Sequence, residues 1–251
     1  MLVSIITVTL NSKSVLSDCL DSVANQSHNN IEHIVIDGGS TDGTLTLLNS
    51  RRKNLAIVIS EPDNGIYEAM NKGVALAKGD IVGILNSDDF YANDQVISNI
   101  IEIFTKDPSL EACYADLIYV DRYKTSKIIR YFKSSKFEQG LFSKGWSPPH
   151  PTFFVRRSVY EKFGLFNLNY RIASDIDLMI RFFEIHKIKT KYVPEIWVKM
   201  RMGGTTNKSL KNIYKQNQEI LKSFKQQGLH VNTIGFLINK ILNRLSQFLR
   251  F

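Results

Sequence analysis

The run Ile81-Val-Gly-Ile-Leu85 is apolar throughout and stops at Asn86-Ser-Asp-Asp89. A strand covered on both faces of a parallel sheet reads as such a continuous run, whereas a half-exposed strand alternates. Two carboxylates, Asp88 and Asp89, thus fall at the carboxyl end of a buried strand. Bringing like charges together there is costly unless a cation lies between them. Mg²⁺ or Mn²⁺ suits the place, because each is held by one or two carboxylates together with substrate phosphates. The expectation is a metal on a diphosphate, held by Asp88 and Asp89. The alternative is a polar turn that caps the next helix.

The chain ahead of this run repeats one alternation. Leu2–Leu10 reads as a strand, 14–25 as a helix, Ile31–Asp37 as a strand, Thr44–Ser50 as a helix and Leu55–Ser60 as a strand. A helix follows over Ile66–Lys78, with Gly79 expected as its C-terminal glycine. Strand and helix in alternation imply an α/β fold, a Rossmann-like and mostly parallel central sheet flanked by helices. Ligands of such sheets bind at the carboxyl ends of the strands. Thr9-Leu-Asn11, Asp37–Asp42, Glu61–Asn64 and Asn86–Asp89 all fall there, and their convergence marks a site.

Beyond Asp89 the reading is a helix over Asp94–Thr105, a strand over Ala112–Val120 and loops over 121–149. A short strand follows at Thr152–Val155, then helices over Ser158–Phe163 and Asp175–His186. A last pair of strands is expected, at Lys191–Val193 and Ile196–Met200. Residues 208–227 and 231–250 read as two helices broken at Gly228, a C-terminal helical appendage. The domain expectation is therefore 1–206, divided at residue 90 into a nucleotide-binding half and an acceptor half, with 207–251 as a tail.

Hydrophobic content of 43% against 22% charged excludes a disordered chain. Cys19 and Cys113 lie far apart, so neither a disulfide framework nor a zinc site is indicated, and a reducing cytosol fits. The first residues read as a strand and not as a signal peptide, and no apolar run approaches the length of a membrane span. Net charge is +8, of which the segment 207–251 carries eight basic residues against Glu219 alone. The core domain is thus near neutral, which disfavours nucleic acid as a partner.

Five segments taken in order resemble the inverting glycosyltransferases of family 2, whose fold is GT-A. They are Ser4-Ile-Ile-Thr-Val-Thr-Leu-Asn11, Asp37-Gly-Gly-Ser-Thr-Asp-Gly43, Glu61-Pro-Asp-Asn-Gly-Ile-Tyr-Glu-Ala-Met-Asn-Lys-Gly73, Asn86-Ser-Asp-Asp89 and Ser174-Asp-Ile-Asp-Leu178. The resemblance covers about 1–206 and is nearest to bacterial members that build surface polysaccharides. It implies that Thr7, Thr9 and Asn11 lie along the nucleotide and that Asp37 accepts from the base, usually uracil. It places Asp63 and Lys72 at the nucleotide or diphosphate, Lys72 being equally a solvated helix residue. Asn86 stands where the family's motif has its first acid. Asp89 is implied as the metal ligand for Mn²⁺ or Mg²⁺, with Asp88 on the sugar or ribose.

The resemblance makes Asp175 the general base, with Asp177 as its substitute, although Ser174 replaces the glutamate that usually precedes the base. A helix N-terminal cap is the plainer role for Asp175. His150 matches a histidine near the phosphate or acceptor, Trp146 stacks on a sugar or packs, and Arg201-Met-Gly-Gly-Thr205 resembles a loop closing over the diphosphate. The implied partners are a nucleotide-sugar donor and a saccharide or lipid-carrier-linked acceptor.

In the second tail helix Ile234, Leu237, Ile238, Ile241, Leu242, Leu245, Phe248 and Leu249 share one face, opposite Lys240, Asn243, Arg244, Gln247 and Arg250. A basic amphipathic helix of this kind suits a membrane interface. The expected location is cytoplasmic, peripherally attached to the inner membrane through 231–251; packing on the domain or on a second subunit is the alternative. Two rival functions remain. A nucleotidyltransferase wants a glycine-rich phosphate loop after strand one, where Thr9–Ser14 has no glycine. A non-catalytic binding protein on a degenerate transferase scaffold is kept open by Ser174.

Overall fold

The structure is a computed structural model and describes residues 1–203 and 209–248. Its first half alternates as the pattern requires: Val3–Thr9 (β1), Leu16–Ala24 (α1), Ile31–Asp37 (β2), Thr44–Ser50 (α2), Ile57–Ser60 (β3), Ile66–Leu76 (α3) and Ile81–Ile84 (β4). The second half runs Asp89–Tyr91 (β5), Val96–Lys106 (α4), Ala112–Val120 (β6), Ile128–Phe132 (β7), Phe154–Arg156 (β8), Arg157–Phe163 (α5), Ser174–Ile180 (α6) and Thr190–Arg201 (β9). Leu210–Gln226 (α7) and Thr233–Ser246 (α8) close it.

The described strands form one sheet in the order β3-β2-β1-β4-β8-β6-β9-β5, with β7 paired to β6. Pairs β3-β2, β2-β1, β1-β4 and β6-β9 are parallel; β8, β7 and β5 join antiparallel. Apolar residues fill both faces. One layer sets Ile6, Ile34 and Tyr114 against Met70 of α3, Leu178 of α6 and Phe224 of α7. The other sets Ile5, Val35 and Trp197 against Leu20 of α1 and Ile97 and Ile100 of α4. This is why β1 and β4 are buried at every residue and read as unbroken apolar runs.

Several features differ from the sequence expectation, among them strand β5, which directly follows the Asp88 turn, and β8, which starts at Phe154 and not Thr152. Helix α3 stops at Leu76 with Ala77 extended; Gly79 is no cap but lies on β1, where an added Cβ would meet Ser4 N at 2.6 Å. The segment 121–149 contains a strand, β7, whose ladder to β6 breaks register at Tyr119/Val120. The last two expected strands are one, β9, whose register on β6 shifts around Asp116 as the strand passes Pro194. Helix α6 continues into a π-helical turn over Arg181–Ile185.

Both C-terminal helices pack on the domain. Glu219 of α7 accepts from the backbone N–H groups of Arg171, Ile172 and Ala173 at 2.8–3.1 Å, just ahead of α6. Ser223 donates to Asp177 Oδ1 at 2.6 Å. Helix α8 lies against the turn at Gly145, buries Phe236 on Phe224 and accepts the Tyr131 N–H of β7 through the Gln247 carbonyl.

Candidate active site

The turn after β4 brings Asp88 and Asp89 to the expected strand end. Asp89 is fully buried, and neither of its oxygens has a partner in good hydrogen-bond geometry. Burial, then the Asp88 charge, pushes its carboxyl well above the usual range; the Arg201 backbone N–H and the Asn86 amide offset this only in part. A buried carboxylate without donors is unfavourable as an anion. A divalent cation entering there would replace its proton and supply the missing partner. Among the described residues no group of three or more His, Cys, Asp or Glu could by itself hold a metal.

On the other side of Asn86 stands Asp175, on the first turn of α6. Tyr67 of α3 donates to Asp175 Oδ1 at 3.0 Å, and His150 Nδ1 lies 3.5 Å from Oδ2. The far nitrogen of that ring, Nε2, lies 3.2 Å from the Asn86 amide nitrogen, which can only donate to it. The imidazole proton is thereby assigned to Nδ1, facing Asp175. Burial lowers the His150 pKa from its usual 6.5, with the Asp175 and Asp88 charges opposing, so the ring is neutral near pH 7. Burial and then Asp175 push the Tyr67 hydroxyl well above 10, and it remains a donor. Asp175 thus accepts one hydrogen bond, from Tyr67, and has the His150 ring beside its other oxygen. Asp177, the expected substitute, points the other way: it is buried and bonded to Ser223 and Arg181.

The nucleotide end is built around β1, β2 and β3. Asn11, at φ 50°, accepts from Thr41 N–H at 2.9 Å and donates its own N–H to Ser40 Oγ at 2.7 Å. Thr9 Oγ1 is buried without a partner. Ser87 donates to Ser12 at 3.0 Å and so ties the turn after β4 to the loop after β1. The Asp37 carboxylate is spent on its own loop: it accepts from Gly39 N–H, Ser40 N–H, the Ser40 hydroxyl and the Ser60 hydroxyl. Asp63 comes over the same place from the other side, and an added Cβ on Gly38 would lie 2.6 Å from its Oδ2. Thr7 is apart from this group, since its hydroxyl points into the sheet interior at His33 Nε2, 3.0 Å away.

Two expected phosphate contacts are occupied by protein. Lys72 pairs with Glu61 at 2.9 Å and with Glu68 at 3.0 Å. Arg201 is nearly buried, bonded to Asp18 and to the Asp88 carbonyl at 2.9 Å, with Phe90 beneath it. It fixes the turn that carries the carboxylates. Residues 204–208, which include the last two residues of the expected closing loop, lie outside the described residues.

A family model described as Glycosyl transferase family 2 matches residues 4–164. A PGL/p-HBAD biosynthesis glycosyltransferase of Mycobacterium tuberculosis is 35% identical over 209 residues, 81% of this chain and 78% of its own length. The chain is a family 2 glycosyltransferase. The hyaluronan synthase of Pasteurella multocida is 29% identical over 91% of this chain, which spans 24% of that enzyme. Solved structures share the fold: S. aureus TarS 1-349 in complex with UDP-GlcNAc has a TM-score of 0.67 at 17% identity, over 98% of this chain and 73% of that one. The mannosyltransferase PcManGT of Pyrobaculum calidifontis, in complex with GDP-Man and Mn²⁺, has a TM-score of 0.66 at 17% identity, over 99% of this chain and 75% of that one. The fold is GT-A.

In this glycosyltransferase the sequence reading left three site residues without a role. Tyr67 stood inside a quoted motif with nothing to say that its hydroxyl reaches Asp175. Glu219 is the lone acid of a basic tail, which is itself a signal, and it holds the backbone ahead of Asp175. Lys240 is expected on the face opposite the apolar stripe of α8. It is partly buried, and its Nζ bonds Gln216 Oε1 at 3.2 Å and Asn217 Oδ1 at 2.6 Å. Burial lowers its pKa to about 8, Asp175 opposing.

Proposed function

We propose that this family 2 glycosyltransferase is metal-dependent and inverting. It moves a sugar from a nucleoside diphosphate sugar, with UDP ahead of GDP, to a saccharide or lipid-linked acceptor in surface polysaccharide synthesis. The observation that carries this reading is the pairing of two unlike carboxylates through Asn86 and His150. Asp89 is buried without a partner in good hydrogen-bond geometry, while Asp175 accepts from Tyr67 and lies 3.5 Å from His150 Nδ1.

Each residue then has a task. Asp89, with Asp88 beside it, would hold Mn²⁺ or Mg²⁺. The ion, when bound, neutralises charge on the departing diphosphate. Asp175 takes the proton of the acceptor hydroxyl as that oxygen bonds to the anomeric carbon. The bond from that carbon to the diphosphate oxygen breaks, and the electron pair leaves with the diphosphate. Attack from the face opposite the leaving group inverts the centre. Tyr67, by its hydrogen bond, and His150, beside the other oxygen, position Asp175.

Asp63 accepts from the base. The Asp37 carboxylate already has four donors, whereas Asp63 Oδ2 faces Gly38 at the same strand end. The relatives' names fit this reading, since TarS is described with UDP and UDP-GlcNAc and PcManGT with GDP-Man and Mn²⁺. A peripheral place at the inner membrane is supported by α8, whose Ile234, Ile238, Ile241, Leu242 and Leu245 are 52–72% exposed. No helix among the described residues is long and apolar enough to cross a membrane.

A panel of UDP- and GDP-sugars with Mn²⁺ tests the proposal by release of nucleoside diphosphate and by the anomeric configuration of the product. One donor turned over with inversion, and silence in Asp175→Asn, is the expected result. A product of retained configuration contradicts it.

A further inference from the structure

A cavity of about 400 Å³ opens beside Asp175, walled by β6, β7, the 145–151 segment and both C-terminal helices. We infer that it takes the phosphate of a lipid-anchored acceptor, bound by Arg130, Lys240 and Arg244 while an acceptor hydroxyl reaches Asp175. This rests on the reading of Asp175 as the base.

Charge is the first argument. Among the described residues the walls carry Arg130, Lys133, Lys240 and Arg244, and Asp175 is the one carboxylate. Arg130 is 5% exposed, its guanidinium lies 3.7 Å from the centre of the Tyr119 ring, and its Nε has no hydrogen-bond partner. The Lys240 ammonium is met only by the neutral amides of Gln216 and Asn217. Like charges gathered in one partly dry cavity repel, and a shared anion is the arrangement that reverses this. A phosphate suits it, because guanidinium forks bond phosphate oxygens in pairs.

The second argument is the attitude of α8. A helix that packs on a domain normally turns its apolar face inward. Here Lys240 and Gln247, partly buried, and Arg244, exposed at the rim, line the cavity, while Ile238, Ile241, Leu242 and Leu245 stand 52–59% exposed on the outside. A lipid surface is the medium in which that orientation is favourable. One helix would then rest in a bilayer and line the cavity with its cations, so a phosphate at the end of a lipid chain arrives where the cations are. A soluble anionic saccharide explains the charges but not the exposed apolar face.

The test is titration of the full chain with phosphatidylcholine nanodiscs loaded with farnesyl phosphate, with farnesol or with phosphatidylglycerol at equal density. Wild type, Lys240→Gln, Arg244→Gln and Arg130→Gln are compared, and binding of UDP or GDP with Mn²⁺ is measured on each. Farnesyl phosphate is expected to bind about tenfold or more tightly than farnesol or phosphatidylglycerol. Lys240→Gln and Arg244→Gln remove that margin while nucleotide binding is unchanged. Equal binding of farnesol or of phosphatidylglycerol overturns the inference, as does a margin that survives both variants. Displacement by inorganic phosphate with the affinity of farnesyl phosphate assigns the site to free phosphate and also overturns it. Loss of nucleotide binding in wild type is a failure of the donor reading and is seen separately.

Discussion

Tyr67 donates its hydroxyl to Asp175 Oδ1 at 3.0 Å across 108 residues of sequence, joining the start of α3 to the start of α6. A carboxylate fixed in this way has the defined direction that the proposed base requires. Tyr67→Phe keeps the ring and removes the donor. Turnover of the donor sugar is expected to fall about tenfold or more, the worth of one hydrogen bond to a charged group. Asp175→Asn falls further, by about 10²–10⁴-fold. Steady-state kinetics check this: kcat changes in both, while KM for the donor stays close to wild type.

Asp177 lies two residues from Asp175 and has the opposite role. It is 1% exposed and joins α6 to α7 through Ser223, with Arg181 on its other oxygen. Asp177→Asn leaves the Arg181 charge without its partner and is expected to cost about 3 kcal/mol, in the range for breaking a buried pair. Urea denaturation followed by circular dichroism measures it. A wild-type midpoint with abolished turnover would instead make Asp177 the base.

His33 predicts an acid limit to stability. It is 3% exposed in β2, and burial lowers its pKa from the usual 6.5 to about 4. Between those values the unfolded chain binds a proton that the native state does not. The contribution is therefore whole above pH 6.5 and is lost as pH falls towards 4. The loss approaches about 3 kcal/mol. Denaturation at about pH 7.5 and about pH 4.5 measures it. His33→Gln, which does not titrate, is expected to lose correspondingly less.

Helix α8 predicts attachment to lipid through its exposed face. Ile238→Ser, Ile241→Ser and Leu245→Ser together alter side chains that are 52–59% exposed, so the melting temperature is expected to hold. Co-sedimentation with vesicles containing anionic lipid is expected to weaken about tenfold or more, because the apolar area entering the interface is removed.

Much of this was legible in the chain. The alternation of strand and helix up to Leu85 foretold the parallel half of the sheet, and the abrupt stop at Asn86–Asp89 foretold the turn that sets Asp88 and Asp89 at the strand end. What escaped has physical causes. Thr7 could not be assigned to a face, because β1 is buried on both sides and shows no alternation of polarity. Asp37 looked available because its four donors come from a loop and from Ser60 of β3, which only the fold brings together. The place of Lys240 was not legible because helical spacing gives two faces without saying which one meets the protein; in α8 packing turned Lys240 towards the domain and left Arg244 exposed. Strand β7 carries only one fully buried residue, Arg130, so its pattern is not that of an apolar strand.

The central claim is that Asp89 binds a cation that the nucleotide diphosphate completes. Calorimetric titration of UDP and GDP, each with Mn²⁺ and with EDTA, tests it on wild type, Asp89→Asn and Asp175→Asn. Binding that needs Mn²⁺, is kept in Asp175→Asn and is lost in folded Asp89→Asn is the predicted result. Equal binding in EDTA, or equal binding by Asp89→Asn, would contradict it.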